Sequence, residues 1–152
     1  CNNCGACIKS CPSGALKEDG SFHGEICVAY LTQKKGIIPD SLKRTMGSYI
    51  YGCDVCRRVC PLTPAPEPVE GCGFPEIAQL LNLSNREFKD RYGNTAIGWR
   101  GKRTIVRNCL IALGNLGDER GIPLAEAFAD NPAPELRDSA QWAIKQMKKG
   151  DK

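Results

Sequence analysis

Apolar residues fall at helical spacing through the second half of the chain and not through the first, and this asymmetry organises everything else. From Glu76 to Leu83, Ile77, Leu80 and Leu81 lie on one helical face. Ser84 follows as an N-cap, with Glu87 at the capping-box position of a second helix. From Lys102 onward the pattern repeats loosely. Val106-Arg107-Asn108-Cys109-Leu110 aligns with Leu136-Arg137-Asp138-Ser139-Ala140, 30 residues later, and Ile122 to Phe128 reads as an amphipathic helix between them. Paired helices at that period predict a HEAT-like stack, although one and a half units is short for a solenoid.

Pro61-Leu62-Thr63-Pro64-Ala65-Pro66-Glu67-Pro68 holds four prolines in eight residues, a stretch that cannot continue a helix and acts as a stiff connector. It predicts one unit over 1–63, a linker over 64–75 and a helical unit over 76–152. In the first unit, short helices are expected to begin near each Cys-Pro, as at Ser13-Gly14-Ala15-Leu16.

With 152 residues, 41% hydrophobic and 25% charged, the composition is that of a globular protein. No run approaches the ~18 apolar residues of a membrane span, so a soluble protein is expected. A net charge of +4 leaves partners open until its placement is known. The chain starts on Cys1 and not Met, which reads as a fragment of something longer.

Ten cysteines change the picture. Seven form two groups, Cys1, Cys4, Cys7, Cys11 and Cys53, Cys56, Cys60, and both groups close with Cys-Pro. This is the spacing of a bacterial ferredoxin-like pair of 4Fe-4S clusters, in which the cysteine before proline crosses to the other cluster. Two cubanes need eight thiolates. Aligned on their Cys-Pro ends, the groups match except that Ile50 stands opposite Cys1, so the second has lost its first ligand. The crossing rule assigns Cys1, Cys4, Cys7 and Cys60 to cluster 1, and Cys11, Cys53, Cys56 and an outside cysteine to cluster 2. Cys27 is that eighth ligand, because it lies between the groups beside Val28 and Tyr30. Cys72 lies beyond the prolines, and Cys109 sits in an apolar helical pattern as a small buried hydrophobe. Zinc would take four ligands and has no use for the third cysteine of each loop. A disulfide framework suits small secreted chains, and no apolar leader is present, which points to a reducing compartment.

Asn94 to Asn108 gathers Arg100, Lys102, Arg103 and Arg107 around Trp99. Such a cluster can neutralise phosphates while the indole stacks on a base. Charge alone favours a plain solvated helix face with Trp99 in the core. Lys34-Lys35 and Arg57-Arg58 are short basic pairs of a kind common on any surface.

Further residues carry a resemblance. Cys27-Val28-Ala29-Tyr30-Leu31-Thr32-Gln33-Lys34-Lys35-Gly36, Tyr51 to Leu62, Trp99-Arg100-Gly101-Lys102, and Arg107-Asn108-Cys109-Leu110-Ile111-Ala112-Leu113-Gly114-Asn115 resemble, in order over nearly the whole chain, the epoxyqueuosine reductases. A generic dicluster ferredoxin has neither the Tyr-Leu-Thr stretch nor the Arg-Asn helix. The resemblance implies a mainly α fold, a dicluster domain followed by a HEAT-like tail, and again makes Cys27 the eighth ligand. It implies a cytoplasmic, monomeric, tRNA-modifying oxidoreductase that holds two 4Fe-4S clusters and cobalamin and deoxygenates epoxyqueuosine at the wobble position. A protein such as flavodoxin or ferredoxin would supply electrons, and no membrane is involved. The cobalamin domain and its catalytic acid precede the first cluster motif in the family, so this chain is expected to be the electron-delivering and tRNA-gripping part, inactive alone.

On the same ground Trp99, Arg100, Lys102, Arg103 and Arg107 are expected to contact the tRNA anticodon stem-loop, with Lys34 and Lys35 nearer the active site and Ala29 and Asp54 near the cobalamin. Two positions depart from the family pattern. Thr63 stands where Asn is frequent, and Ala29 where Ser is. His23 is expected on the surface. Two other functions use the same eight cysteines: a free-standing dicluster carrier, which has no need of the tail, and a corrinoid reductase of a small molecule, whose tail should lack Trp-Arg-Gly-Lys.

Overall fold

The computed structural model describes residues 1–64 and 76–149, which leaves Cys72 and nearly all of the expected linker outside the described residues. The chain is mainly helical, as expected. Among the described residues ten α-helices run in order: α1 (Ala6–Ser10), α2 (Val28–Gln33), α3 (Asp40–Thr45), α4 (Val55–Arg58), α5 (Ile77–Asn82), α6 (Asn85–Tyr92), α7 (Ala96–Arg100), α8 (Lys102–Leu116), α9 (Ile122–Glu126) and α10 (Pro134–Met147). The one β feature among the described residues is an isolated bridge between Leu16 and Phe22.

Helix α8 is the axis of the molecule. It carries apolar residues on every face from Ile105 to Leu113, and everything from Thr104 to Gly114 is buried. A helix that is apolar all round must be surrounded. Helix α10 packs along one side of α8, and α5, α2, α3, α6 and α7 cover the rest. The α8–α10 contact is close because Gly114 has no side chain: a Cβ there would meet the Trp142 ring at 2.6 Å and Ala143 Cα at 2.8 Å. Pro134 opens α10 at a position where its missing N–H costs nothing.

The predicted capping box is present. Glu87 N–H donates to Ser84 Oγ at 3.2 Å, and Ser84 N–H donates to Glu87 Oε2 at 2.7 Å. Ser84→Ala should therefore lower the thermal midpoint by about 2–4 °C, which a melt followed by circular dichroism would read.

Although the sequence pattern divides at the prolines, the hydrophobic core does not. Leu31, Ile38 and Met46 from the first half share one core with Leu80, Phe88, Ile105, Leu110, Ala140 and Met147. Lys43 on α3 is fully buried. Its Nζ lies 2.7 Å from Asp138 on α10 and 2.8 Å from Asp40, and it sits over the Trp142 ring at 5.6 Å. Asn115 Nδ2 donates to the carbonyls of Lys43 and Gly47, both at 2.8 Å.

The cysteine-bearing segment has almost no core of its own, for Ala15 is the one buried residue between 1 and 27. A segment that small ordinarily needs covalent or metal cross-links to hold its shape. The helix expected to start at Ser13 is instead a turn. Gly14 has φ 61°, Gly14 N–H reaches the Cys11 carbonyl at 3.1 Å, and the Ala15 carbonyl accepts from His23 N–H at 2.8 Å. The short helices lie before each Cys-Pro, between the cysteines.

Candidate metal centre and nucleic-acid interface

The two cysteine groups are built alike. In the first, Cys4 precedes α1, Cys7 lies in it, and Cys11 follows it in extended conformation before Pro12. In the second, Cys53 precedes α4, Cys56 lies in it, and Cys60 follows it before Pro61. Helices α1 and α4 pack against each other, which brings the two loops together. Cys27 caps the N-terminus of α2, whose Val28, Leu31 and Thr32 are buried and so fix where that helix begins.

Burial pushes the Cys56 thiol up, and the charges of Cys53 and Cys27 push it further. Cys60 is held below its ordinary value by the Leu62 amide and the Thr63 side chain. Thr63, at a position that departs from the family pattern, thus serves a cysteine directly. Burial acts to raise the Cys11 thiol, but hydrogen bonds from the Leu16 amide, the Ser13 hydroxyl and amide and the Ala15 amide outweigh it and bring the thiol down to about 7. The Ser13 Oγ lies 3.7 Å from Cys11 Sγ.

The described cysteines are all free thiols. Among the described residues no three His, Cys, Asp or Glu side chains converge tightly enough for a single metal ion. A set of neighbouring thiols suits a cationic iron core, since binding the metal removes their protons. Cys109 has no part in this. It is fully buried in α8, and burial pushes its thiol up to about 12. His23 is half exposed, with Nδ1 3.2 Å from Glu25.

The basic segment of the tail lines a cleft of about 530 Å³. Lys35, Lys89, Arg100, Lys102 and Arg103 face it, against the one acid Glu135. Trp99 is not in the core; it is 72% exposed, and the Arg100 guanidinium stacks 3.9 Å from its ring centre. Arg100 Nε also reaches Gln33 Oε1 on α2 at 3.4 Å. Arg103 lies 3.7 Å from Glu135. Lys34 is exposed next to Lys35.

Arg107 departs from expectation. It lies at the floor of the same cleft but is fully buried, with no surface left open to a nucleic acid. Its guanidinium donates to the backbone carbonyls of Lys34, Gly36 and Leu31 and to Asn108 Oδ1. Burial lowers it to about 10, opposed by the charge of Glu135, so it stays a cation at neutral pH.

Ala29 and Asp54 are apart in their surroundings. Ala29 is half-buried on α2, and its carbonyl accepts from Thr32 Oγ1 and Gln33 Nε2. Asp54 is exposed in a second cleft of about 320 Å³ with Tyr49, Tyr51, Cys53 and Arg58. Residues to which the sequence reading gave no individual role are Thr32, Lys43, Asn108 and Asn115, whose side chains make hydrogen bonds or ion pairs between elements of the fold.

Comparison with known proteins agrees with this geometry. Residues 1–63 match the 4Fe-4S double cluster binding domain. The chain is 39% identical over 95% of its length to the epoxyqueuosine reductase of Bacillus subtilis (strain 168), of which it covers 40%. It is also 39% identical over 95% of its length to an uncharacterized protein of Geobacillus stearothermophilus, of which it covers 71%. Among solved structures it resembles an epoxyqueuosine reductase crystallised with an epoxyqueuosine-modified tRNA-Tyr stem loop, at TM-score 0.86 and 36% identity, over 97% of this chain and 42% of that one. The Streptococcus thermophilus epoxyqueuosine reductase gives TM-score 0.86 at 32% identity, over 98% of this chain and 42% of that one. The chain thus spans about 40% of the length of the named reductases it matches. No helix among the described residues is long and apolar enough to cross a membrane.

Proposed function

Since this chain belongs to the epoxyqueuosine reductase family, we propose that it forms the electron-delivering and RNA-gripping part of a cobalamin-dependent reductase that converts epoxyqueuosine to queuosine at the tRNA wobble position. Cluster 1 is assigned to Cys1, Cys4, Cys7 and Cys60, and cluster 2 to Cys11, Cys27, Cys53 and Cys56. The observation that carries the assignment is the packing of α1 against α4, which brings the two cysteine loops together, with Cys53 and Cys27 both near enough to Cys56 for their charges to act on it. Each set then draws on both loops, as the crossing arrangement requires.

Turning an epoxide into an alkene removes one oxygen as water and consumes two electrons and two protons. Thiolate-bound cubanes carry electrons one at a time, and cobalamin supplies the bond-breaking chemistry. The residues of this chain set the conditions. Amides of Leu16 and Leu62 and the hydroxyls of Ser13 and Thr63 donate toward Cys11 and Cys60, which favours the anionic thiolate. Asp54, in the open cleft beside Cys53, and Ala29 on α2 are the positions assigned to the cobalamin side. A small one-electron carrier such as flavodoxin or ferredoxin is the assigned reductant, and exposed Val59 and Leu62 flank Cys60 on the surface it would approach.

The HEAT-like tail holds the anticodon stem-loop through the basic cleft. Lys35, Arg100, Lys102 and Arg103 neutralise phosphates, Lys34 adds charge at the cleft edge, and exposed Trp99, with Arg100 stacked on it, offers a face to an unpaired base. A free-standing electron carrier would have no reason to share its core with α8 and α10, as Leu31, Ile38 and Met46 do here.

Arg100→Glu with Lys102→Glu should weaken anticodon stem-loop binding at least ~10-fold and lower the slope of log K against log salt by about 1.4, near 0.7 per lost single-strand phosphate contact. Titrations of stem-loop RNA at several salt concentrations read both quantities. An unchanged slope would remove these residues from the interface.

A further inference from the structure

Two motifs singled out in the sequence, the Tyr-Leu-Thr stretch and the Arg-Asn helix, meet at one buried polar cross-link. We propose that Thr32 and Asn108 are positioning residues that hold the Cys53 loop and the Cys27 helix in the register cluster 2 requires. The inference rests on assigning Cys27, Cys53 and Cys56 to one cluster.

Thr32, in the last turn of α2, is fully buried. Its hydroxyl donates to the Ala29 carbonyl at 2.9 Å and accepts from Gly52 N–H at 2.9 Å. Asn108, also fully buried, donates through Nδ2 to the Thr32 carbonyl at 2.7 Å and to the Ile50 carbonyl at 2.7 Å. Arg107 saturates the other side of that amide, with Nε at 3.1 Å and Nη2 at 2.7 Å from Oδ1. The amide can therefore face only one way, because a flip would set two donors against the guanidinium and leave both carbonyls without one.

The consequence lies in what is attached to each end. Gly52 immediately precedes Cys53 and has φ 69°, a left-handed turn that aims its N–H at Thr32. Ile50, which stands where the first cysteine group has a ligand, contributes a backbone carbonyl to the cross-link in place of a thiolate. Cys27 begins the helix whose last turn carries Thr32. Two ligands that are 26 positions apart in the sequence are thus fixed to each other, and to the central helix α8, by one hydroxyl and one amide. Cluster 1 takes three of its four ligands from the first cysteine group, which is almost without buried residues and lacks such support, and takes only Cys60, beyond α4 from the cross-link, from the second, whereas Cys27 and Cys53 of cluster 2 flank the cross-link directly. Loss of the cross-link should therefore affect cluster 2 selectively.

The test uses the protein carrying its clusters, with anaerobic iron release to a strong chelator followed as two phases. Cys27→Ala identifies the phase that belongs to cluster 2. Thr32→Val keeps the shape and removes the hydroxyl, and should speed that phase about 10- to 100-fold, the scale for lost outer-shell support of metal ligands, while the other phase stays within about twofold. Thr32→Ser should restore wild-type release. Asn108→Asp, which keeps the partner of Arg107 and loses both donations, should act as Thr32→Val does and serves should that variant not fold. Asn115→Ala removes similar bonds from the same helix where no cysteine is near, and should leave the ratio of the two phases unchanged. Release from both clusters accelerated equally by Thr32→Val, or from neither, would overturn the proposal. A Cys27→Ala protein that still releases both phases would overturn the cluster assignment and the cross-link with it.

Discussion

Arg107→Ala is expected to leave the protein unfolded or to lower its melting temperature by about 10–20 °C, the largest effect of any single substitution outside the cysteines. The side chain sits in no ion pair, and its charge is neutralised by oxygens of the backbone: Lys34 and Gly36 on one nitrogen, Leu31 on another, with Asn108 Oδ1 completing the set. Truncation leaves three carbonyls without donors and a cavity beside Leu31. At about 1–3 kcal/mol for each buried group left unsatisfied, the loss reaches roughly 4–6 kcal/mol, because the carbonyls of exposed Lys34 and Gly36 recover part of theirs from water. That is a large share of the ~5–15 kcal/mol that holds a domain together. Arg107→Lys should retain one of the bonds and fall between. A melt of the cluster-loaded protein checks both variants. An Arg107→Ala protein with an unchanged melt and weakened RNA binding would return the residue to the RNA interface and contradict its burial.

Cys27→Ala should lose one of the two clusters while the other survives, so that about half the iron remains. The reason is geometric as well as arithmetic. Cys27 and Cys53 are close enough for their charges to raise the Cys56 thiol, and no other described cysteine outside the two loops is accessible, since Cys109 lies fully buried in α8. A replacement ligand would have to come from water or exogenous thiol, which leaves a more labile site. Cys109→Ala is the control and should leave the iron content unchanged. Iron content and EPR of the reduced protein, compared across the three samples, decide the point.

How much of this was readable in the sequence differs by residue for physical reasons. Metal-ligand spacing is local, so the two cysteine groups can be read directly, and counting to eight leaves one ligand to be chosen among Cys27, Cys72 and Cys109, of which Cys27 lies between the groups. The capping box at Ser84 and the helices on either side of it are also local signals, and they appear where the pattern places them. Charge is different. Arg100, Lys102, Arg103 and Arg107 read alike along the chain and all border the cleft, yet three keep accessible surface there and Arg107 is fully buried beneath it. A clue was present, because apolar residues occupy every face of α8 from Ile105 to Leu113, and a polar residue within such a helix must be buried and must find partners there. Asn108 and Asn115 obey the same logic. The turn at Ser13-Gly14-Ala15-Leu16 was misread as a helix start because its conformation answers to Cys11: the amides of Ser13, Ala15 and Leu16 point at that thiol and not along a helix axis. The division of the chain at its prolines follows composition, whereas the core is set by where Leu31, Ile38 and Met46 find apolar partners, and those lie across the boundary.

The most direct test of the central claim is the iron and acid-labile sulfide content of the protein reconstituted anaerobically, read together with EPR of the reduced state. The account predicts about eight irons and eight sulfides per chain, and a spectrum broadened by two neighbouring paramagnetic clusters. About four of each with the signal of a single isolated cluster, or a stable one-metal zinc protein, would contradict it.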